Sequence, residues 1–109
     1  MKNGVYRVLF RGTVTDGRGI LVAKDGALWG GDTGFVYNGS YAEEGPNNGK
    51  ASVQIKRDDP HMASVFGDLQ DFRLDFTFAI TPSGFTASGA ISGHPNIRIS
   101  VEATQLAEI

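Results

Sequence analysis

The sequence contains no cysteine, and its proline content is low. The absence of cysteine excludes disulfide bonds, thiolate metal sites and thiol catalysis. Only four prolines accompany 15 glycines, which favours an ordered, turn-rich chain over a low-complexity one. No apolar run approaches the roughly 18 residues of a membrane span, and residues 1–4 do not resemble the start of a signal peptide. We therefore expect a cytoplasmic protein that does not bind membranes.

An excess of positive charge is also missing. Ten Lys and Arg stand against twelve Asp and Glu, a net charge of -2, and the basic residues are scattered. A nucleic-acid-binding protein usually shows a clustered basic surface, so we expect no direct binding to nucleic acid. The length of 109 residues predicts one domain over 1–109, large enough to form a core without a structural metal.

Helical spacing of apolar residues is almost absent, and alternation with a period of two replaces it. The clearest case is residues 72–80, where apolar and mostly polar residues alternate along a predicted strand. Residues 97–103 repeat the pattern. In total the alternation predicts eight strands, within residues 6–11, 19–23, 27–30, 35–41, 51–55, 72–80, 85–91 and 97–103.

Turn-forming residues separate these segments. Glycine, proline, asparagine and aspartate predict turns at residues 15–17, 25–26, 45–49, 82–84 and 93–96. Only residues 58–70 lack a period of two, and there we predict a short helical or irregular crossing segment. Eight short antiparallel strands joined mostly by hairpins favour an all-β closed barrel, which has no free sheet edge. A Greek-key sandwich of two sheets is the alternative.

The barrel interior can be filled by side chains or can hold one small ligand. Seven phenylalanines favour a filled interior. The alternative is a carrier of a small apolar ligand, held in a cavity lined by Tyr6, Phe10, Phe72, Phe76, Phe78 and Phe85.

The tripeptide Asp32-Thr33-Gly34 matches the catalytic motif of aspartic proteases, whose retroviral type is a homodimer of β-rich chains of similar length. In such a dyad two close carboxylates share one proton. Here, however, Gly30 and Gly31 precede the aspartate in place of bulky apolar residues. The simpler interpretation is a turn in which the Asp32 carboxylate accepts a backbone N–H.

No other group of residues predicts catalysis or a cofactor. The two histidines, His61 and His94, both adjoin proline in turn-like segments. Asp58 and Asp59 beside His61 make a metal site conceivable, but the spacing matches no recognised ligand pattern. We therefore predict a non-enzymatic protein without a metal or cofactor.

Some apolar residues fall at positions that the alternation places on the polar faces of strands. If they are grouped, they form a surface that needs a partner, and a homodimer is the simplest one. The predicted dimer contacts are Leu9, Leu21 and Val36, with Trp29 as a further candidate.

A series of landmarks in residues 4–106 resembles the GrlR-like family, small bacterial proteins named after a negative regulator of type III secretion genes. The landmarks are Gly4-Val5-Tyr6, Gly17-x-Gly19-Ile20-Leu21-Val22, Gly30-Gly31-Asp32, Tyr37-x-Gly39-x-Tyr41, Val53-x-Ile55-x-Arg57 and Ser64-Val65-Phe66-Gly67.

The resemblance implies a lipocalin-like barrel that forms a homodimer and binds proteins. In the founding type of the family, an acidic run after the fourth strand is implicated in capturing a transcriptional activator. At the corresponding place this sequence keeps only Glu43 and Glu44. By the resemblance, these two carboxylates are the expected partner-binding residues of a negative regulator that sequesters an activator.

Overall fold

The structure is a computed structural model that describes residues 1–12, 16–58 and 71–109. Every regular element in these ranges is a β-strand, and no helix among them is long and apolar enough to cross a membrane. The strands are β1 (Gly4–Arg11), β2 (Asp16–Lys24), β3 (Ala27–Gly31), β4 (Phe35–Gly45), β5 (Asn48–Arg57), β6 (Asp71–Thr81), β7 (Gly84–Ile91) and β8 (His94–Glu108).

The strands form one closed antiparallel barrel in which each strand pairs with the next along the chain. β1 also pairs with β8, from Gly4 opposite Glu108 to Arg11 opposite Ser100. The predicted closed barrel is thereby confirmed, and the alternative sandwich of two sheets is wrong. The predicted crossing segment at residues 58–70 lies outside the described residues, except for Asp58.

The eight strands agree with the predicted ones, but several extend further than the apolar alternation does. β2 already begins at Asp16 and β8 at His94, and the turn between β4 and β5 is reduced to Pro46 and Asn47. Backbone pairing needs only N–H and C=O groups, so the ladder continues through Asp16 and Gly17 on β2 and through Asn48 and Gly49 on β5, which we assigned to turns. The predicted Asp25-Gly26 hairpin is confirmed, with positive φ angles at both residues.

Alternate side chains of each strand point into the barrel. One group of buried residues extends from Tyr6 and Val8 on β1 to Ala103 on β8. A second, smaller group at the other end of the barrel contains Phe72, Leu74, Ile91 and Ile99. Phe10, Phe76 and Val101 are partly buried and pack against both groups. The interior is thus continuous along the barrel.

Gly89 on β7 lies where neighbouring backbones come closest. A Cβ atom at this position would lie 2.0 Å from the Asp75 carbonyl oxygen and 2.9 Å from the Phe76 Cα atom on β6. A side chain would push β6 and β7 apart, so the tight curvature of the barrel requires glycine here.

We therefore expect Gly89→Ala to lower the free energy of unfolding by about 1–3 kcal/mol, the usual cost of overpacking. The neighbouring exposed residue provides the control, because Ser88→Ala should change it by less than about 0.5 kcal/mol. Urea unfolding followed by circular dichroism measures both. Equal unfolding midpoints for the two variants would contradict the argument.

Candidate functional site

The barrel holds a cavity of about 420 Å³, whose lining includes exposed residues at one end. Its size is within the range of roughly 300–1,000 Å³ that is usual for small-molecule sites. The lining runs from Met1 at one end of the barrel to Asp16, Asp32 and Thr33 at the other. The expectation that side chains fill the interior is therefore wrong. Small residues at Ala51 and Ala87 leave space between the phenylalanines.

Five of the six residues predicted to surround a cavity do line it. These five are Phe10, Phe72, Phe76, Phe78 and Phe85. Tyr6, the sixth, does not, although it is 99% buried. Its hydroxyl donates a hydrogen bond to the Lys2 carbonyl oxygen at 2.6 Å, and its ring meets the edge of Phe85 at 5.3 Å between centroids. Tyr6 is therefore part of the wall behind the cavity.

Aromatic rings close one end of the cavity. Phe78 makes edge contacts with both Phe85 and Tyr41, with centroid separations of 6.3 and 6.0 Å. The Tyr41 hydroxyl donates to the Met1 carbonyl oxygen at 3.4 Å, so the first residues lie across this end. Edge-to-face packing of this kind stabilises aromatic clusters beyond the burial of their area. We call these rings, Tyr6, Tyr41, Phe78 and Phe85, the aromatic cluster.

The opposite end of the cavity carries a polar pair, the part-buried Asp32 and the buried Tyr37. The amide groups of Gly34 and Phe35 donate to Asp32 Oδ1 at 2.9 and 3.0 Å, and the Tyr37 hydroxyl donates to Asp32 Oδ2. The predicted turn, with the Asp32 carboxylate accepting backbone N–H groups, is confirmed. Sequence reasoning missed Tyr37 as the partner of Asp32. In the sequence, this pair is indicated by the position of Tyr37, which follows Asp32 by five residues across a short turn between two strands.

Gly19 on β2 leaves the space that the Tyr37 hydroxyl occupies. A Cβ atom at Gly19 would lie 2.7 Å from the Tyr37 hydroxyl oxygen and 2.8 Å from the Gly31 carbonyl oxygen. Burial, followed by the hydrogen bond to Asp32 and the charge of this carboxylate, raises the pKa of Tyr37 far above its ordinary value of 10.0. Tyr37 is thus a neutral phenol that stays protonated near neutral pH.

The described residues contain no cluster of three or more His, Asp or Glu side chains that could hold a metal ion. Of the conceivable metal site around Asp58, both Asp59 and His61 lie outside the described residues. His94 begins β8 and is exposed. The structure therefore does not bring the predicted histidines together in any described site.

The two predicted partner-binding carboxylates both have partners within the chain. Glu43 forms an ion pair with the amino group of Met1, and Glu44 lies 3.8 Å from the Lys50 ammonium. Both glutamates are exposed at the end of β4. Their charges are accessible to solvent but partly compensated by these neighbours, and exposed pairs of this kind contribute little to stability.

The predicted dimer contacts are not brought together as a set. Leu21 pairs with Tyr6 and Gly30 and is buried inside the barrel, so its assignment to the outer surface is wrong. The alternation in β2 begins earlier than the apolar run suggests, and Ile20 takes the outward position instead. Leu9 is exposed, but its direct cross-strand neighbours are the charged residues Arg18 and Glu102.

Two of the predicted contacts, Val36 and Trp29, do form a group with the exposed Ile20 on the outside of β2, β3 and β4. Ile20 and Val36 both pair with Gly31, which has no side chain, and Trp29 lies two residues before that glycine. Their exposed fractions are 43%, 49% and 45%. We call this surface of Ile20, Trp29 and Val36 the outer patch.

Positively charged residues flank the outer patch. Arg7 on β1 is the cross-strand neighbour of Ile20, and Lys56 on β5 is that of Val36. Neither takes part in an ion pair with the residues that the structure describes. The patch therefore combines an apolar centre with a cationic margin.

The sequence was compared with models of known protein families and with curated proteins, and it matches none of them. The resemblance to GrlR-like proteins therefore stays a prediction, and the case for function depends on the geometry of the barrel.

The buried phenols predict how stability depends on pH. Burial also raises the pKa of Tyr6, with the nearby Tyr41 as a second cause. The folded protein thus keeps protons on Tyr6 and Tyr37 above about pH 10, where an unfolded chain releases them. Stability that is present below about pH 10 should therefore fall as the pH rises further. The Tyr37→Phe variant lacks one of these phenols, so its free energy of unfolding should fall less over the same pH range.

An absorbance titration of tyrosinate, together with urea unfolding at each pH, measures this effect. If all three phenols ionised near pH 10 in the still folded protein, the described environments of Tyr6 and Tyr37 would be contradicted.

Proposed function

We propose that this protein binds a small, predominantly apolar molecule inside its barrel, without converting it. The observation that carries the proposal is the cavity of about 420 Å³ between the aromatic cluster and the Asp32–Tyr37 pair. An apolar ligand in this space would gain contact with side chains such as Phe76 and Val101.

The closed barrel supports this function because it holds the cavity open. Each wall strand is hydrogen-bonded on both sides, so the interior cannot collapse without breaking backbone pairs. A pre-formed site binds with a smaller loss of conformational freedom than one that must be ordered by its ligand.

Binding without conversion is supported by the state of Asp32. Its carboxylate accepts three hydrogen bonds from groups of the same chain, which position it as part of a turn. We therefore propose a structural and binding role for Asp32, and no proteolysis.

The proposal predicts that filling the cavity abolishes binding. Ala51 and Ala87 line it, and a phenyl ring at either position would occupy the space of the ligand. We expect Ala51→Phe and Ala87→Phe to weaken binding of the fluorescent apolar probe N-phenylnaphthylamine by at least about tenfold, the loss of roughly two buried methylene groups. Probe fluorescence during a titration gives the affinity.

The control is Ser88→Phe, which adds the same ring beside Ala87 but on the exposed face. It should bind the probe like the wild type. Circular dichroism and urea unfolding establish that each variant is folded. No saturable binding to the wild type, or unchanged binding in both filled variants, would refute the proposed site.

A second function, protein binding through a homodimer, is favoured by the outer patch. We propose that two copies meet through Ile20, Trp29 and Val36, whose exposed rings and methyl groups would then be buried. A twofold contact brings Arg7 and Lys56 of both copies close to one another, because the same surface faces itself. Screening of this repulsion by salt should tighten the dimer.

Sedimentation equilibrium at low and high salt measures the dimer dissociation constant. We expect Trp29→Ser to weaken the dimer by at least about tenfold, since a truncated aromatic contact near an interface centre commonly costs more than 1 kcal/mol. Leu106→Ser removes a side chain that is 52% exposed on β8, outside the patch, and should leave the constant unchanged. A monomer at every concentration and salt would refute the dimer.

Capture of a transcriptional activator through Glu43 and Glu44 is supported only by the family resemblance. Both carboxylates are exposed, so a basic partner could reach them, but it would compete with Met1 and Lys50 for their charge. The role as a negative regulator related to type III secretion therefore stays a prediction.

A further inference from the structure

The polar end of the cavity has a definite hydrogen-bonding character. We propose that it selects amphiphiles whose head group donates hydrogen bonds, such as an alcohol or an ammonium group, and rejects carboxylates. The inference rests on the proposed binding function and adds the chemical class of the ligand. It follows from which atoms of Asp32 and Tyr37 remain available.

The Asp32 carboxylate is an acceptor whose donors all come from the chain. Oδ1 accepts from the Gly34 and Phe35 amide groups, and Oδ2 accepts from the Tyr37 hydroxyl. An ionised carboxylate has about four acceptor positions and no proton to give. What Asp32 can still offer to a ligand in the cavity is therefore its remaining acceptor capacity on Oδ2.

Tyr37 is also a hydrogen-bond acceptor toward the cavity, but for a different reason. A phenol has one proton, and that of Tyr37 is committed to Asp32. The oxygen keeps lone pairs, so Tyr37 also meets a ligand as an acceptor. Both side chains line the cavity, and Tyr37 is only 6% exposed. The pair thus presents acceptors at the end of an apolar space.

Charge acts in the same direction as the hydrogen bonds. A ligand carboxylate beside the part-buried Asp32 would place two negative charges close together, whereas an ammonium group would be attracted. Arg18 is the one cationic side chain among the described residues that line the cavity, and it is exposed beside Asp16 at the rim. Solvent therefore screens the charge of the exposed Arg18 more than that of the part-buried Asp32.

The experiment compares three ligands with the same alkyl chain: decanol, decylamine and decanoate. Each displaces N-phenylnaphthylamine from the wild-type protein at neutral pH. We expect decanol and decylamine to bind at least about tenfold more tightly than decanoate, the size of effect that a hydrogen bond to a charged group produces. A preference for decanoate would mean that Arg18 controls the site and would overturn the inference.

Asp32→Asn gives a sharper result because it should reverse the direction of the Tyr37 hydrogen bond. The asparagine Oδ1 still accepts from Gly34 and Phe35, while its NH₂ group donates to the Tyr37 oxygen. The Tyr37 proton is then released toward the cavity, where a carboxylate can accept it. We expect decanoate to bind at least about tenfold more tightly to Asp32→Asn than to the wild type, and decylamine to bind more weakly.

Tyr37→Phe is the matched control, since it keeps the Asp32 charge but removes the phenol. It should continue to reject decanoate, and in Asp32→Asn/Tyr37→Phe the gain in decanoate binding should be lost. Probe binding and urea unfolding establish that each variant keeps its cavity and its fold.

The outcomes separate the two proposals. Probe binding without a head-group preference, or without a change in Asp32→Asn, overturns the selectivity and leaves the apolar site standing. Failure of the probe and of all three ligands to bind the wild type overturns the proposed function and the selectivity with it.

Discussion

The backbone pairing of β1 with β8 is the contact on which the rest of the structure depends. It joins the two ends of the described chain over eight register pairs, with one shift between Val5 and Tyr6. Without it the sheet would expose two free edges, and its apolar face would need another layer to cover it. Closure of the barrel instead turns the apolar face inward. The core residues and the residues that line the cavity therefore belong to the same inner face of the sheet.

The position of the cavity follows from where the large rings pack. Phe78 and Phe85 contact each other and the tyrosines of the aromatic cluster at one end, and Phe10 packs edge-on against Tyr37 nearer the other, with 6.4 Å between ring centroids. Beside these rings, inward positions carry Ala51, which pairs with Tyr41 and Phe76, and Ala87, which pairs with Phe78; both are too small to reach across. A count of seven phenylalanines therefore overstated how well the interior is filled, because it ignored the small residues that stand beside them.

The fold was predictable from the alternation of apolar residues, because a period of two fixes which residues share a face. How deeply each residue is buried could not be predicted from this alternation. Leu21 lies in the run of residues 20–23, where every residue is apolar, so the prediction assigned it to the wrong face, and the pairing with the buried Tyr6 shows that it points inward. The cavity residues were predicted on clear parity, and five of six line it. The prediction for Tyr6 was wrong because the alternation shows that its side chain points inward, but not that its ring lies behind the side chains that line the cavity.

The Asp32 turn connects the architecture to the chemistry of the site. By accepting the Gly34 and Phe35 amides, its carboxylate fixes the connection from β3 to β4, and the same geometry directs Oδ2 at the Tyr37 hydroxyl. The direction of that proton is then set by the charge of Asp32, since a carboxylate can only accept. A structural requirement of a tight turn thus determines that the polar end of the cavity offers acceptors. Replacing Asp32 therefore acts both on the polarity of this end and on the contacts that hold the turn, which ties ligand selectivity to the stability of this corner of the barrel.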